Sequence, residues 1–100
     1  MSIARITMME FNDEECMAEA DQLYQSIRAE YFPTQEQVIN VKTGPTSGIS
    51  ISLYPSFESA ETNLEGRAKM IELLEPLVKD TFYHEGEVTL NITSNPSKTQ

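Results

Sequence analysis

Two reactive side-chain types occur once each in this sequence of 100 residues, a histidine and a cysteine. His84 could act as a general base if a neighbouring group orients its ring, and Glu85 and Glu87 are near enough in sequence to do so. Equally, it could be a loop histidine with no chemical role. Cys16 lies near the start of a predicted helix, but its spacing places it on the apolar side of that helix. The sequence therefore favours an inert thiol and assigns no catalytic residue.

A set of polar side chains on the predicted strands indicates ligand binding instead. Arg5 and Lys42 are two of only seven basic residues, and both project from one predicted face of the sheet together with Tyr54. A few polar groups that converge in a concave site can hold a small anionic or hydroxylated ligand. The alternatives are basic side chains that extend into water, or salt bridges to acidic residues of a partner. The candidate ligand-binding residues are Arg5, Lys42, Ser50, Tyr54, His84 and Asn91.

The charge and composition exclude several classes of function. Seven Lys and Arg residues against sixteen Asp and Glu residues give a net charge of −9. Nucleic acids and anionic membranes are bound by clustered basic residues, so we expect neither partner. No apolar run approaches the roughly 20 residues of a membrane span, and the N-terminal segment lacks the apolar block of a signal peptide. One histidine and one cysteine exclude a metal site rich in either, no cofactor is predicted, and we expect a soluble cytoplasmic protein.

Apolar and polar residues alternate with period two in four segments, which predicts four strands. These segments are Ile3–Phe11, Gln37–Lys42, Ile49–Tyr54 and Glu87–Thr93. The second and third are joined by a glycine-containing turn and form a predicted hairpin. A loop through residues 83–86 precedes the last strand. Residues 1–94 are predicted to form one domain, and residues 95–100 a disordered polar tail.

The first predicted helix lies between the first two strands. Asn12 is the expected N-cap, since an acidic first turn follows it, and apolar residues then recur at spacings of three and four. Pro33 ends this helix, because the residue before a proline avoids helical geometry.

The second predicted helix begins at a cap formed by Ser56 or Ser59 and extends to Val78. Gly66 and Pro76 weaken it, so its continuity is left open. Its predicted inward stripe consists of Ala60, Leu64, Ala68, Ile71, Leu74 or Glu75, and Val78.

The element order β-α-β-β-α-β predicts a ferredoxin-like α+β fold, with a four-stranded antiparallel sheet and two helices on one face. Right-handed crossovers place the first and third strands in the middle of the sheet. The apolar side chains of the strands are expected to lie under the helices. The polar set is expected on the uncovered face: Arg5, Thr7, Met9, Asn40, Lys42, Ser50, Ser52, Tyr54, Thr89, Asn91 and Thr93.

The stretch Leu53-Tyr54-Pro55-Ser56-Phe57-Glu58-Ser59-Ala60-Glu61 leads from a strand into a helix. It resembles the corresponding junction in small dimeric α+β barrel proteins, the antibiotic-biosynthesis-monooxygenase-like proteins. The element order agrees with that family over residues 3–93. The resemblance implies a homodimer in which two sheets pack through their uncovered faces. It also implies a cavity, either between the helices and the sheet or at the interface of the two sheets.

Two functions follow from these observations. The first is a small homodimeric protein that binds a small molecule, or acts in structure or interaction, without catalysis of its own. The second, implied by the resemblance, is a cofactor-independent monooxygenase-like enzyme acting on a small aromatic, quinol-type substrate; some relatives degrade haem. Family sites combine Trp, Asn, Tyr, Arg and His, and this chain has no Trp. No catalytic residue of the family is therefore carried over to this sequence.

Overall fold

The computed structural model describes residues 2–92, which contain four strands and three α-helices. The strands are β1 (Ile3–Phe11), β2 (Gln37–Lys42), β3 (Ser47–Tyr54) and β4 (Val78–Glu87). The helices are α1 (Glu14–Tyr31), α2 (Phe57–Thr62) and α3 (Leu64–Leu74), and a 3₁₀ turn over Glu75–Leu77 follows α3. The predicted bounds of β1 and β2 are confirmed. The predicted tail, residues 95–100, lies outside the described residues.

All strands pair antiparallel in a single sheet with the order β2-β3-β1-β4. The expectation that the first and third strands lie in the middle is therefore confirmed. Arg5 on β1 lies opposite Ser52 on β3 and opposite Glu85 on β4. This register brings residues from three parts of the chain into one row across the sheet.

The N-cap of α1 is Asp13 rather than the predicted Asn12. The Asp13 carboxylate accepts a hydrogen bond from the Cys16 backbone N–H at 2.8 Å, which lowers the pKa of that carboxyl. The Asn12 side chain instead donates to the carbonyl oxygen of Pro76 at 3.0 Å. A carboxylate is the better partner for the positive end of the helix, whereas the amide can donate to a neighbouring loop.

The second predicted helix is two helices, because the chain breaks at Asn63. Ser56 caps α2 and accepts from the Ser59 backbone N–H at 3.1 Å. Pro76 lies in the 3₁₀ turn, so α3 ends at Leu74, well before the predicted end.

The predicted inward stripe of this helix is confirmed at Ala60 and, further along, at Ile71 and Leu74, which face the space between the helices and the sheet. Ala60 is buried, and Asn63 and Met70 are the next buried residues. Leu64 and Ala68 were also expected to point inward, but both are exposed, Leu64 to 43%. Because the helix breaks at Asn63, Arg67 and Met70 occupy the inward positions that the sequence pattern assigned to Leu64 and Ala68.

The last strand is earlier in the chain than predicted. β4 covers residues 78–87, which includes the predicted loop at residues 83–86. Residues 88–92, the body of the predicted strand, have no regular secondary structure, and Thr93 lies outside the described residues. Ile3, the first residue of β1, already pairs with Glu87, so the chain beyond Val88 has no neighbouring strand in its own sheet.

The two faces of the sheet are the reverse of those predicted. Arg5 is 5% exposed and Tyr54 is 1% exposed, because the polar set of β1 and β3 lies under the helices. The apolar set faces away from the helices, and Ile39 and Val41 are each 44% exposed. The prediction was wrong because it assumed that a strand's apolar side faces its own helices. No helix among residues 2–92 is long and apolar enough to cross a membrane.

Candidate functional site

A cavity of about 490 Å³ lies between the sheet and the helices and is partly enclosed. The sheet contributes its helix-facing side chains, and α1 and α3 form the opposite wall. The lining includes Arg5, Thr7, Ser50, Ser52 and Tyr54 from the sheet, with Met17, Tyr24, Arg67 and Met70 from the helices. The wall is therefore apolar and aromatic over much of its area, with polar groups concentrated on the sheet.

Arg5 is the principal charged group of the cavity. Its Nε donates to Oε2 of Glu85 at 2.6 Å, and its guanidinium carbon lies 5.5 Å from the centroid of the Tyr54 ring. Its Nη1 is buried and has no hydrogen-bond partner within residues 2–92. A buried cationic donor without an acceptor is unfavourable, so this nitrogen is suited to an oxygen atom from outside the chain.

Tyr54 is the most deeply buried aromatic residue of the cavity wall. Burial raises the pKa of its hydroxyl above the ordinary value of 10.0, while the Arg5 charge and the side chains of Asn63 and Gln35 act in the opposite direction. The group therefore remains a neutral phenol at neutral pH. Such a phenol can donate a hydrogen bond to an oxyanion or a carbonyl.

Asn63 lies next to Tyr54 and is held in one orientation. Thr34 donates its hydroxyl hydrogen to the Ser59 carbonyl oxygen at 2.6 Å, so its oxygen accepts from Nδ2 of Asn63. This leaves Oδ1 of Asn63 buried and without a partner among the described residues. The break between α2 and α3 thus brings the Asn63 side chain close to the Tyr54 hydroxyl.

Gln35 connects the two walls of the cavity. Its Nε2 donates to the Tyr24 hydroxyl at 2.9 Å and to the Ser52 hydroxyl at 3.0 Å. Its Oε1 accepts from Nε of Arg28 at 3.3 Å. These bonds fix α1 relative to β3, and so they set the width of this end of the cavity.

A second set of contacts lies on the β4 side. Tyr83 donates its hydroxyl hydrogen to Glu85 Oε2 at 3.2 Å, the same oxygen that accepts from Arg5. The Arg67 guanidinium lies 3.7 Å from the centroid of the Tyr83 ring, a cation–π contact between α3 and β4. The Arg5 hydrogen bond lowers the pKa of Glu85, whereas burial raises the pKa of Tyr83. Glu85 is therefore ionised and Tyr83 is neutral at neutral pH.

The cavity is more basic than the molecule as a whole. Arg5, Lys42 and Arg67 line it, three of the seven basic residues, whereas Glu14 and Asp21 are the acidic lining residues out of sixteen. In a chain with a net charge of −9 this distribution favours an anionic ligand in the cavity.

Four of the six candidate residues come together in the cavity wall: Arg5, Lys42, Ser50 and Tyr54. His84 lies on the opposite face, where it pairs with Ile6, and Asn91 follows the end of β4. Sequence reasoning missed Arg67, Gln35 and Asn63. Arg67 and Asn63 are four residues apart, a spacing that puts both on one helical face, but the helix was assigned a different inward stripe.

The remaining reactive groups lie away from this site. The pKa of the Cys16 thiol is raised, first by its side-chain interaction with Asp13, which fits the expected inert thiol. No group of three or more His, Cys, Asp or Glu side chains within residues 2–92 could hold a metal ion.

Comparison with known proteins identifies the fold. No protein-family model matches the sequence, and no curated protein matches it. Solved structures do match. A dimeric ferredoxin-like protein from an uncultured marine organism aligns with a TM-score of 0.77 and 14% identity, covering 94% of this chain and 93% of that one. The chain has this ferredoxin-like fold.

Two further matches are enzymes. An asparagine-to-alanine variant of a cofactor-independent oxygenase from Streptomyces nogalater aligns with a TM-score of 0.76 and 10% identity, covering 93% of this chain and 98% of that one. A monooxygenase from Streptomyces coelicolor, in complex with nanaomycin D, aligns with a TM-score of 0.73 and 12% identity, covering 94% of this chain and 93% of that one. The predicted resemblance to antibiotic-biosynthesis-monooxygenase-like structures is confirmed for the fold.

Proposed function

We propose that this protein is a homodimer that binds a small, partly apolar ligand with an anionic or carbonyl oxygen in the cavity between helices and sheet. The observation that carries the proposal is the position of Arg5. It is buried in the cavity wall, it is held through Nε by Glu85, and its Nη1 has no acceptor within residues 2–92. A ligand oxygen at Nη1 supplies the missing hydrogen bond.

The rest of the wall defines the class of ligand. The neutral Tyr54 hydroxyl is a second donor close to Arg5, while Met17 and Met70 offer apolar surface. Aromatic carboxylates and phenolates combine an oxyanion with a flat apolar body, so they fit both halves of this wall. Lys42 and Arg67 add positive charge to the lining and favour the same class.

The uncovered face of the sheet supports the homodimer. The alternation in the strands places an apolar set on this face: Ala4, Ile6, Met8, Ile39, Val41, Ile49, Ile51, Leu53 and Phe82. Phe82 is 58% exposed. A contiguous apolar surface of this kind in a small acidic protein is typical of an interface, and a second copy offers a surface of the same kind.

The ligand proposal is tested by calorimetric titration of the wild-type protein with 2-naphthoate and with its neutral analogue naphthalene-2-methanol. We expect 2-naphthoate to bind more tightly than the alcohol. We expect Arg5→Gln to weaken naphthoate binding about tenfold, because a charge-assisted hydrogen bond is lost.

Lys69→Gln is the matched control, since it removes one positive charge from a side chain that is 55% exposed and outside the cavity lining. It should leave the affinity within about twofold, because exposed charges contribute little. Equal weakening by the two variants, or equal affinity for the acid and the alcohol, contradicts an Arg5-centred site.

A second function, cofactor-independent oxygenation of a small phenol, is favoured by one observation. The Arg5 guanidinium lies over the ring of the neutral Tyr54, and the two groups together can stabilise a phenolate, the form of a phenol that O₂ oxidises most readily. In the overall reaction a phenol such as 1-naphthol loses two hydrogens and gains one oxygen atom to give a quinone. The second oxygen atom of O₂ leaves as water.

This function is tested by incubating the protein with 1-naphthol under labelled O₂. One labelled oxygen atom in the naphthoquinone product, with a slower rate in Tyr54→Phe and in Arg5→Gln, would support the enzyme. Product formation no faster than without protein, or unchanged in both variants, leaves ligand binding as the function.

A further inference from the structure

Two arginine side chains meet at one end of the cavity. Arg5 projects from β1 and is held by Glu85, whereas Arg67 projects from α3 and its guanidinium lies 3.7 Å from the centroid of the Tyr83 ring. Both arginines line the cavity. Tyr83 connects them, because its hydroxyl donates to the same oxygen of Glu85 that accepts from Arg5. The two cations therefore approach one tyrosine and one carboxylate, Arg5 from the sheet and Arg67 from the helices.

This end of the cavity has one carboxylate for two cations. Glu85 is ionised at neutral pH and pairs with Arg5, and neither arginine forms another ion pair within residues 2–92. Arg67 is partly buried, so water screens its charge only in part. Its contact with the face of the Tyr83 ring takes the place of an anion. Two positive charges against one negative charge leave this end of the cavity with an excess of one positive charge.

The other end of the cavity has the opposite balance of charge. It lies at the start of β3, where Lys42 is opposite Gly48. A Cβ at Gly48 would lie 3.3 Å from the methyl group of Met17, so α1 passes over this end. Glu14 and Asp21 lie three residues before and four residues after Met17, on the same side of α1, and both line the cavity. Two acids against one lysine make this end unfavourable for an anion, so an anionic group is favoured at the arginine end.

We infer that Arg5 and Arg67 hold the carboxylate of a monoanionic ligand between them, with one oxygen atom bound to each guanidinium. This inference rests on the proposed ligand site, and it narrows the ligand to aromatic monocarboxylates. Arg5 supplies its buried Nη1, which has no hydrogen-bond partner within residues 2–92. Arg67 supplies a guanidinium that pairs with no carboxylate among the same residues.

Charge and protonation select a carboxylate over other oxyanions. A carboxylic acid is ionised at neutral pH, whereas a simple phenol, with a pKa of about 10, must first lose a proton. The two oxygen atoms of a carboxylate lie in one plane and match the planar forks of guanidinium donors. A phosphate monoester carries about two negative charges and would place the second one beside the ionised Glu85. One carboxylate, in contrast, leaves Arg5, Arg67 and Glu85 with no net charge.

Calorimetric titration with three naphthalene derivatives at neutral pH tests this inference. The probes are 2-naphthoate, 2-naphthol and 2-naphthyl phosphate, which share one aromatic body. We expect wild type to bind 2-naphthoate at least about tenfold more tightly than either of the other two. Arg67→Gln should weaken the binding of 2-naphthoate about tenfold and leave that of 2-naphthol within about twofold, because the neutral probe brings no charge to the arginine.

Lys69→Gln is the matched control, because it removes the same charge two residues further along α3, from an exposed side chain outside the cavity lining. It should leave the affinity for each probe within about twofold. Arg67→Lys keeps the charge without the planar fork and should recover only part of the affinity for 2-naphthoate. An equal loss of 2-naphthoate and 2-naphthol binding in Arg67→Gln would mean that Arg67 only holds α3 against β4, and it would overturn the inference.

The remaining outcomes separate this inference from the proposed function. Weaker binding of 2-naphthoate in Arg5→Gln with no change in Arg67→Gln overturns the two-arginine site and leaves the Arg5 site in place. Tighter binding of 2-naphthyl phosphate or 2-naphthol than of 2-naphthoate by wild type overturns the selection of a monocarboxylate. The absence of binding of all three probes by wild type overturns the inference together with the proposed function.

Discussion

Arg5 and Glu85 lie directly opposite each other on neighbouring strands, and their side chains form an ion pair of 2.6 Å. The arginine is 5% exposed and the glutamate 30% exposed, so the cation is buried while the anion reaches the protein surface. The pair places a charged donor inside the cavity, and Glu85 also accepts from Tyr83. The same contact therefore stabilises the sheet and holds Arg5 in the wall of the cavity.

Glu85→Gln should lower the free energy of unfolding by about 1–3 kcal/mol at pH 7, because the buried guanidinium loses its anion. The Arg5 interaction lowers the pKa of Glu85 below its ordinary value of 4.5. The stabilisation is therefore present above pH 4.5 and is lost as the pH falls through the lower folded pKa. Urea denaturation of both proteins between pH 7 and acidic pH measures the difference, which should shrink on acidification.

Glu87→Gln is the control for this experiment, because it removes the same charge two residues further along β4, from a side chain that forms no ion pair in the described chain. It should change the unfolding free energy by less than about 0.5 kcal/mol. A difference between wild type and Glu85→Gln that stays constant with pH would mean that the ion pair does not stabilise the fold.

Gly66→Ala should destabilise the protein even though alanine favours helices. A Cβ at Gly66 would lie 2.1 Å from the carbonyl oxygen of Tyr31, which is backbone and cannot move aside by changing a rotamer. We expect a loss of at least about 1 kcal/mol, measured by urea denaturation, because overpacking exceeds the gain in helix propensity. Gly86→Ala is the matched control, since a Cβ there meets nothing within 4 Å. Equal stability of the two variants would contradict the close packing of α3 on the end of α1.

Two tyrosines should ionise late in an alkaline titration followed by ultraviolet absorbance. Burial raises the pKa of Tyr54 and of Tyr83 above the ordinary value of 10.0. Because the neutral form is favoured in the fold, the associated stabilisation is present below pH 10.0 and is lost as the pH rises through the folded pKa. Tyr54→Phe should remove one late-ionising group. A variant with the same late amplitude as wild type would place Tyr54 in contact with water.

Ile6→Lys should convert the proposed dimer to a monomer. Ile6 lies on a central strand in the apolar face, where a lysine from each protomer would bury two like charges. Light scattering should give twice 11.3 kDa for wild type and 11.3 kDa for the variant. Leu64→Lys, at a 43% exposed position on the helical side, should remain a dimer. A dimeric Ile6→Lys would place the interface elsewhere.

The element order and the sheet order were predicted well, because the most regular apolar–polar patterns of the sequence fall in helices and strands that pack on another element. The bounds of β1 and β2 were predicted to the residue, because the segments that alternate in the sequence are the segments that pair with a neighbouring strand. β4 was predicted too late in the chain, because apolar and polar residues alternate more regularly in residues 88–92 than in the segment before them. The structure forms the strand in that earlier segment, which pairs with β1. The alternation within one segment does not show whether that segment has a strand to pair with.

The polar residues of the cavity wall were predicted in part for a related reason. Arg5, Lys42, Ser50 and Tyr54 share a face by alternation alone, so their convergence could be read from the sequence. The sequence could not show which face of the sheet the helices cover. Alternation defines two faces, but it does not say which face packs on the helices and which is left for a second copy. Asn63 and Arg67 enter the account only through the break between α2 and α3, for which the chain has no glycine or proline signal at that position.

The methionine methyl groups offer the most direct measurement of the proposed ligand site. Met17 and Met70 line the cavity, while Met8 lies on the opposite face of the sheet. In a titration of methyl-labelled protein with 2-naphthoate, followed by NMR, we expect the Met17 and Met70 signals to shift with a common affinity and the Met8 signal to stay nearly constant. Shifts at Met8 without shifts at Met17 and Met70 would contradict a ligand site between the helices and the sheet.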